Sequence, residues 1–545
     1  MMIPTHQRLI QFIFAFLLIS GGIAMPQTGF GQTVGVTQYT GWESEGYTLI
    51  APMTSTNSYL IDRCGRVINS WTSDYLPGNV VYLLETGQLL RSGKIAGEPF
   101  SGGGLGGHLE LRSWDDEVIW HYEMANSQNH LHHDVEYMAN GNILVIAWDF
   151  HSNEEAISLG RNPNLLDDGF WSESIFELMP LGEEDAQIVW EWHFWDHLIQ
   201  EFDPEKENYG DVSASPRRLN INFNLGGDSG PGDAYADWLH INSIDYHPEL
   251  DQILLSSRKT SEIYIIDHST TAEEAASSSG GNSGYGGDLL FRFGNPFVYG
   301  QGSASDQVLD GQHDAHWIDN STILLYNNRP LIAATSSIEK IIPLTDGAGE
   351  YLLSNDQFQP NETSWSLSDD FFSAFISGVE QLPDNKLLVC NGLQGEIREY
   401  DEQENIIWTY VNPVGFGGPV EQGQLPTQNP LFRAQFYPTD FAAFNSLTLI
   451  PGEPLELNPG ELICLTNTIR EVVTPIQIST FPNYWIVNLP EGSNSLILTD
   501  AAGRIRSSYV LNSRQVKIDR TPLSSGVYLL LLEASERVFS MKLIN

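Results

Sequence analysis

The sequence predicts an all-β chain: a six-bladed β-propeller followed by a small C-terminal β-sandwich. Three observations carry this. Gly (49 residues) and Pro (28 residues) punctuate the chain, and no long helical heptads interrupt it. Short apolar runs recur, each opened by a turn with Gly, Asn or Asp. After each come a run ending in Asp or a turn and a run rich in Trp, in that order. Many short strands of regular spacing joined by turns are the mark of a radial β repeat.

The opening run reads Gly87-Gln88-Leu89-Leu90, Gly141-Asn142-Ile143-Leu144-Val145, Asp251-Gln252-Ile253-Leu254-Leu255, Asn320-Ser321-Thr322-Ile323-Leu324 and Asp384-Asn385-Lys386-Leu387-Leu388. The next strand is clearest in Ser58-Tyr59-Leu60-Ile61-Asp62, Glu262–Asp267 and Glu396–Asp401. The closing strand shows as Val67–Trp71, Val118-Ile119-Trp120, Ile188–Trp192 and Ile406-Ile407-Trp408. End to end these make about six units of four strands. Long insertions at Asn153 to Asp168, Phe194 to Asp237 and Ser277 to Gly287 read as the mouth of a site on a rigid scaffold.

The pattern breaks near Pro451 to Thr474. Beyond it, Ser495–Thr499, Arg514–Ile518 and Val527–Leu532 alternate as short strands, with a turn at Asp500-Ala501-Ala502-Gly503. The expected organisation is a signal peptide over 1–31, a propeller over 32–455, a linker over 456–474 and a sandwich over 475–545. The leader reading rests on Arg8, the apolar run Leu9 to Ile19, and small residues at Gly22, Ala24, Gly29 and Gly31. The run is too short for a membrane span.

The net charge is -44, from 70 acidic and 26 basic side chains. Such a surface repels nucleic acid and anionic membranes, so neither is an expected partner. An anionic substrate would then need a local positive site. Of the three cysteines, Cys64, Cys390 and Cys464, an exported chain can oxidise one pair and leave one thiol over. Their spacing is not that of a metal site. Gly102-Gly103-Gly104 lies among strands and opens no helix, so no phosphate-cradling loop is present.

Three histidine stretches occupy matching places, each before the apolar opening run of a unit. They are His132-His133-Asp134, Asp237-Trp238-Leu239-His240-Ile241-Asn242 and Gln312-His313-Asp314-Ala315-His316. Equivalent positions of successive blades surround one axis, so these residues converge. Arg258 follows His240 by one strand and adds a guanidinium. Imidazoles with one Arg suit a tetrahedral oxyanion: Arg offers a fork, and His can donate, attack or take a proton. Three His could equally hold zinc or copper, although Arg258 would repel the ion. Asp134 and Asp314 could serve as ligands or orient the neighbouring His rings. His121, His193, His197, His247 and His268 read as structural.

These stretches, with Leu255-Ser256-Ser257-Arg258, closely resemble the bacterial aryl-sulfate sulfotransferases over most of residues 40 to 450. The resemblance implies a six-bladed propeller that uses no phosphoadenosine phosphosulfate and no other cofactor or metal. It implies that sulfuryl passes from a phenyl sulfate donor to a phenol acceptor through a sulfohistidine, with ping-pong kinetics. Carried over by motif, His313 is the nucleophile, and His133, His240 and Arg258 hold the sulfate oxygens. His132 (the rival to His133), Asn242 and His316 complete the substrate-binding candidates. No large N-terminal sandwich of the kind some members carry is evident, which leaves a homodimer open.

The tail resembles the C-terminal sorting domain of type IX secretion, found in Bacteroidetes. The resemblance rests on Phe481-Pro482-Asn483, Asp500–Arg504, Leu523–Tyr528 and Met541-Lys542-Leu543-Ile544. It implies the type IX machinery as partner and a secreted or cell-surface location reached through the periplasm. The rival classes are a metal- or quinone-dependent propeller oxidoreductase and a non-catalytic surface binding propeller.

Overall fold

The computed structural model describes residues 32–41, 43–166, 168–223, 236–466, 477–481, 483–488, 493–500, 504–510, 515–524, 526–534 and 537–544. The expected leader lies outside these residues. So do 467–474 of the expected linker and Pro482, Ala501 to Gly503 and Ser525 of the tail motifs. Among the described residues no helix is long and apolar enough to cross a membrane.

The fold is all-β. Six antiparallel sheets follow in chain order, each of four strands in simple up-and-down succession. Sheet I takes Leu431–Pro438, Gly46–Pro52, Asn57–Asp62 and Val67–Thr72; sheet II takes Pro77–Leu83, Leu89–Lys94, Gly107–Arg112 and Val118–Glu123. Sheet III is Asn129–Tyr137, Ile143–His151, Phe170–Leu181 and Asp185–His193; sheet IV is Ile241–His247, Gln252–Ser257, Glu262–Asp267 and Phe291–Phe293. Sheet V is His313–Trp317, Ile323–Asn327, Ser337–Ile341 and Trp365–Leu367; sheet VI is Gly378–Gln381, Leu387–Asn391, Glu396–Tyr400 and Ile406–Val411, with Gly35–Tyr39 added outside.

The first-named strand of each sheet touches the first-named strand of the next, and the cycle closes from VI back to I. These lead strands are what the sequence reading passed over. The apolar runs taken as opening strands, such as Ile143 to Val145, are second in their sheets. The three histidine stretches lie on or at the head of the lead strands themselves. The physical reason is that lead strands such as Asn129–Tyr137 and His313–Trp317 interleave apolar residues with histidines and carboxylates, so they show no continuous apolar run.

A lead strand also has one edge without a ladder partner, and its N–H groups need acceptors. Side chains of the preceding lead strand supply them. Asp134 accepts from Ile244 N–H (3.2 Å), Asp245 from Trp317 N–H (2.6 Å), Asp314 from Val379 N–H (2.8 Å) and Glu380 from Phe436 N–H (2.6 Å). Tyr437 Oη accepts from Leu83 N–H at 2.8 Å, and Tyr82 Oη donates to Asp134 at 2.7 Å, which completes the circuit. A typical buried hydrogen bond contributes about 0.5–1.5 kcal/mol net, so together this circuit is a substantial part of ring closure.

The apolar core lies between successive sheets. Leu144, Ile146, Trp190 and Trp192 of sheet III pack on Ile244, Ile253, Leu255 and Tyr264 of sheet IV. Sheet I joins the two ends of the ring, because its lead strand comes from residues 431–438 and the rest from 46–72. Cys64 and Cys464 form a disulfide across 400 residues, and Cys390 is a buried thiol, matching the expectation of one pair and one left over. Leu455 packs with Val36, Ile61, Trp408 and Tyr410, so the chain leaving sheet I stays on the ring.

In the tail, Gln477–Thr480, Tyr484–Asn488 and Gln515–Asp519 form one sheet. Ile505–Val510, Ser493–Asp500, Val527–Ala534 and Arg537–Ile544 form another. Trp485, Val487 and Ile518 of the first share an apolar cluster with Leu496, Leu498, Tyr528 and Leu530 of the second.

Candidate active site

Irregular backbone at the head of three lead strands builds the site. The ladder register slips where sheet III passes its second strand near Val145 to Ala147, at Ile241 to Ser243 in sheet IV, and at His313 to His316 in sheet V. His133 (φ 55°), His240 (φ 55°) and Asp314 (φ 59°) are left-handed there. Each such residue costs about 1 kcal/mol or more and persists because its surroundings hold it. His133 N–H donates to Gly104 O at 2.9 Å, and Ile241 N–H donates to the buried Glu173 carboxyl at 3.1 Å. Bulges of this kind re-aim side chains.

The result brings His133, His240, His313 and Arg258 together. The rings of His133 and His240 meet edge to face at 4.5 Å. Phe432 stands 6.2 Å from His133 and 6.4 Å from His313. Arg258 N–H donates to His240 O at 3.1 Å, and its charge acts on both His313 and His133. All four are buried, between 2% and 7% exposed, so a charged substrate here would meet little water. Burial and then the Arg258 charge hold His313 well below the usual imidazole range; burial, then His240, His132, His313 and Arg258, do the same to His133. Both rings are therefore neutral at neutral pH.

The hydrogen bonds fix which nitrogen of His313 carries the proton. Asn328 Nδ2 donates to the carbonyls of Ser373 (2.8 Å) and Ile376 (2.9 Å), so its Oδ1 is the acceptor facing His313 Nδ1 at 2.8 Å. Gly311 O accepts from the same nitrogen at 3.0 Å. The proton thus sits on Nδ1, and Nε2 carries the lone pair, which accepts from Ile376 N–H at 3.2 Å.

The remaining candidates are placed as follows. His132 lies behind His133: their Nδ1 atoms share a 2.7 Å hydrogen bond, and His132 stacks on Trp148 at 4.2 Å. Its Nε2 is buried without a hydrogen-bond partner. Asn242 Nδ2 donates to Gln312 O at 2.7 Å, leaving a buried Oδ1 without a partner. His316 lines a cavity of 190 Å³ ringed by Asp134, Glu136, Asp245, Asp314, Glu380 and Arg433. None of His133, His240 and His313 lines it, so the structure does not bring His316 to them.

Asp134 and Asp314 do not orient the neighbouring imidazoles, contrary to expectation. They clamp Arg433, at 2.8 Å and 2.9 Å. Their oxygens are also taken by the N–H groups of Ile244 and Val379, which leaves them committed away from the rings beside them. Asp237 has that orienting position, at 2.5 Å from His240 Nδ1. Among the described residues no three His, Cys, Asp or Glu side chains are grouped to hold a metal ion. Of the histidines read as structural, His197 is bonded to Asp288 (2.9 Å) and His268 to Asp251 (2.7 Å).

Sequence reasoning missed Asn328, Asp237, Arg433 and the use of the glycine run. A Cβ on Gly104 would overlap the His133 ring, and one on Gly102 would come within 3.1 Å of Trp148. Gly102-Gly103-Gly104 is thus the close-packed wall of the site. Three consecutive glycines between strands were the available signal.

A family model described as Arylsulfotransferase (ASST) matches residues 117–414, and all four grouped residues lie within that span. The chain belongs to this family, which supports aryl sulfotransferase activity and phenolic substrates in general terms. Among curated proteins none matches. Among solved structures, the chain is similar to a Bacteroides caccae protein of unknown function at 10% identity and TM-score 0.37, over 67% of this chain and 94% of that one. It is also similar to the Pseudomonas aeruginosa periplasmic gluconolactonase PpgL at 9% identity and TM-score 0.35, over 87% and 99%. A third is an inactive virginiamycin B lyase from Staphylococcus aureus, at 10% identity and TM-score 0.33, over 71% and 90%.

Proposed function

We propose that the protein moves a sulfuryl group from a phenyl sulfate ester to a phenol in two steps, with His313 as nucleophile. The observation that carries this is the His313 ring itself. It is neutral, with its proton tied to Asn328, its Nε2 lone pair facing the Ile376 N–H, and the Arg258 and His240 charges acting on it. A sulfate monoester brings one negative charge and is transferred through a loose sulfuryl group, so positioning and charge stabilisation do most of the work, as for phosphoryl groups.

In the first step His313 Nε2 attacks sulfur, the S–O bond breaks and the donor phenolate leaves. Phenolate is a tolerable leaving group because phenols have a pKa of about 10. The Ile376 N–H that occupies the lone pair at rest turns to a sulfuryl oxygen. Arg258, His133 and, while its Nε2 is protonated, His240 take the remaining oxygens. As the ring gains positive charge, Nδ1–H donates more strongly to Asn328. In the second step an acceptor phenol attacks the sulfohistidine while a neighbouring His takes its proton.

The six sheets are read as the blades of one propeller over 32–455, and residues 475–545 as a β-sandwich for type IX sorting after a linker. On that reading the protein is exported and ends secreted or on the cell surface, and needs no diffusible cofactor. The test is to mix enzyme with a chromogenic phenyl sulfate and locate the sulfated residue by peptide mass. Modification at His313, absent from His313→Asn, is expected. Full transfer by His313→Asn would overturn the assignment.

A further inference from the structure

We propose that Asp237 is a positioning residue for the transfer: it holds the proton of His240 on Nδ1 and so presents Nε2 as the base for the acceptor phenol. This rests on the function proposed above. The three grouped imidazoles differ in what grips Nδ1. For His313 it is a neutral amide, Asn328 at 2.8 Å; for His133 it is a second imidazole, His132 at 2.7 Å; for His240 it is a carboxylate, Asp237 at 2.5 Å. A neutral partner suits a ring that must keep its lone pair for sulfur. A carboxylate suits a ring that must carry a proton, because it stabilises the imidazolium.

Asp237 is fixed for this task. It is 2% exposed. Trp148 Nε1 donates to its other oxygen at 3.2 Å, and Lys259 Nζ donates to its backbone carbonyl at 2.7 Å. A bridge to Trp171 pins its backbone to sheet III. Burial alone would raise its carboxyl, but His240 and Lys259 outweigh that and keep it ionised. Glu173 anchors the far side of the His240 bulge through Ile241 N–H.

The step balances as follows. The acceptor O–H bond breaks and its proton goes to His240 Nε2. The acceptor oxygen bonds sulfur, and the S–N bond breaks with its electron pair returning to His313 Nε2. The proton on His240 then goes to the phenolate released from the next donor, as that S–O bond breaks. His240 thus ferries one proton from acceptor phenol to donor phenol per cycle.

The experiment uses the full exported chain with Asp237→Asn. Three quantities are read: the burst of phenol from a chromogenic phenyl sulfate, and kcat with two acceptors. One acceptor is an ordinary phenol of pKa about 10; the other is acidic enough to be ionised at the assay pH and needs no base. The variant is expected to keep the burst and its donor KM, to turn over near wild type with the ionised phenol, and to lose roughly 100-fold or more in kcat with the ordinary one. Equal loss with both acceptors, or no loss with either, would overturn the inference. If Asp237→Asn does not fold, Trp148→Phe removes one support of the same carboxylate and should give the same acceptor selectivity at smaller size; equal behaviour towards both acceptors would again overturn it. A wild-type protein with no burst defeats the proposed function itself, whereas an intact burst with an indifferent Asp237→Asn defeats only this inference.

Discussion

Replacing Asn328 with alanine tests whether the His313 tautomer is what makes the site work. Asn328 and His313 are both buried, and their 2.8 Å hydrogen bond becomes charge-assisted as the ring takes on the sulfuryl group. A hydrogen bond to a charged group contributes about 1.5–3 kcal/mol. Gly311 O still accepts from the same nitrogen at 3.0 Å, so the loss should fall at the low end. At about 1.4 kcal/mol per factor of ten, Asn328→Ala should slow His313 sulfation roughly 10- to 30-fold. Rapid mixing with a chromogenic phenyl sulfate reads this step directly as the burst rate. Alanine also removes the two donors that hold Ser373 and Ile376, so the assay temperature must lie well below the melting point of the variant. Asn328→Asp, which restores an acceptor but no donor, should recover rate over alanine. A burst in Asn328→Ala as fast as in wild type would refute the reasoning, because the Asn328 contact would then add nothing to the transfer.

Three further outcomes are expected. Gly104→Ala places a methyl group into the His133 ring at a left-handed position (φ 88°), and should abolish transfer with a stability loss of about 1–3 kcal/mol, read by thermal melting and the burst assay together. Burial pushes the Glu380 carboxyl up to about 8 against the hydrogen bond from Phe436, so the folded chain keeps a proton that the unfolded chain releases from its ordinary pKa near about 4.3. That contribution to stability is complete below the unfolded value and is lost as pH rises through the folded one; melting should therefore weaken from pH ~5 to ~8.5, and Glu380→Gln should flatten the fall. Cys464→Ser opens a disulfide that spans 400 residues and should destabilise by about 2–5 kcal/mol; reductant should lower the melting point of wild type but not of the variant.

The sequence alone determined whatever local patterning encodes. Apolar runs at Ile143 to Val145, Glu262 to Asp267 and Ile406 to Trp408 mark strands that pack between layers, and each falls in a strand, with Ile143 to Val145 second in its sheet rather than first. The histidine stretches and Arg258 could be picked out because they stand at matching points beside such runs. The tertiary structure decided what depends on neighbours far along the chain. His133 rather than His132 meets His240, because a left-handed residue at a bulge turns one ring in and leaves the other stacked on Trp148. Asp237, not Asp134 or Asp314, serves a histidine, because those two carboxylates are held by Arg433, more than a hundred residues away. Several lead strands carry a weaker apolar signal, since side chains of the preceding lead strand, carboxylates among them, satisfy their free backbone edges. Periodicity reports what a strand buries on its own faces; which groups meet at the centre is fixed only when the ring closes.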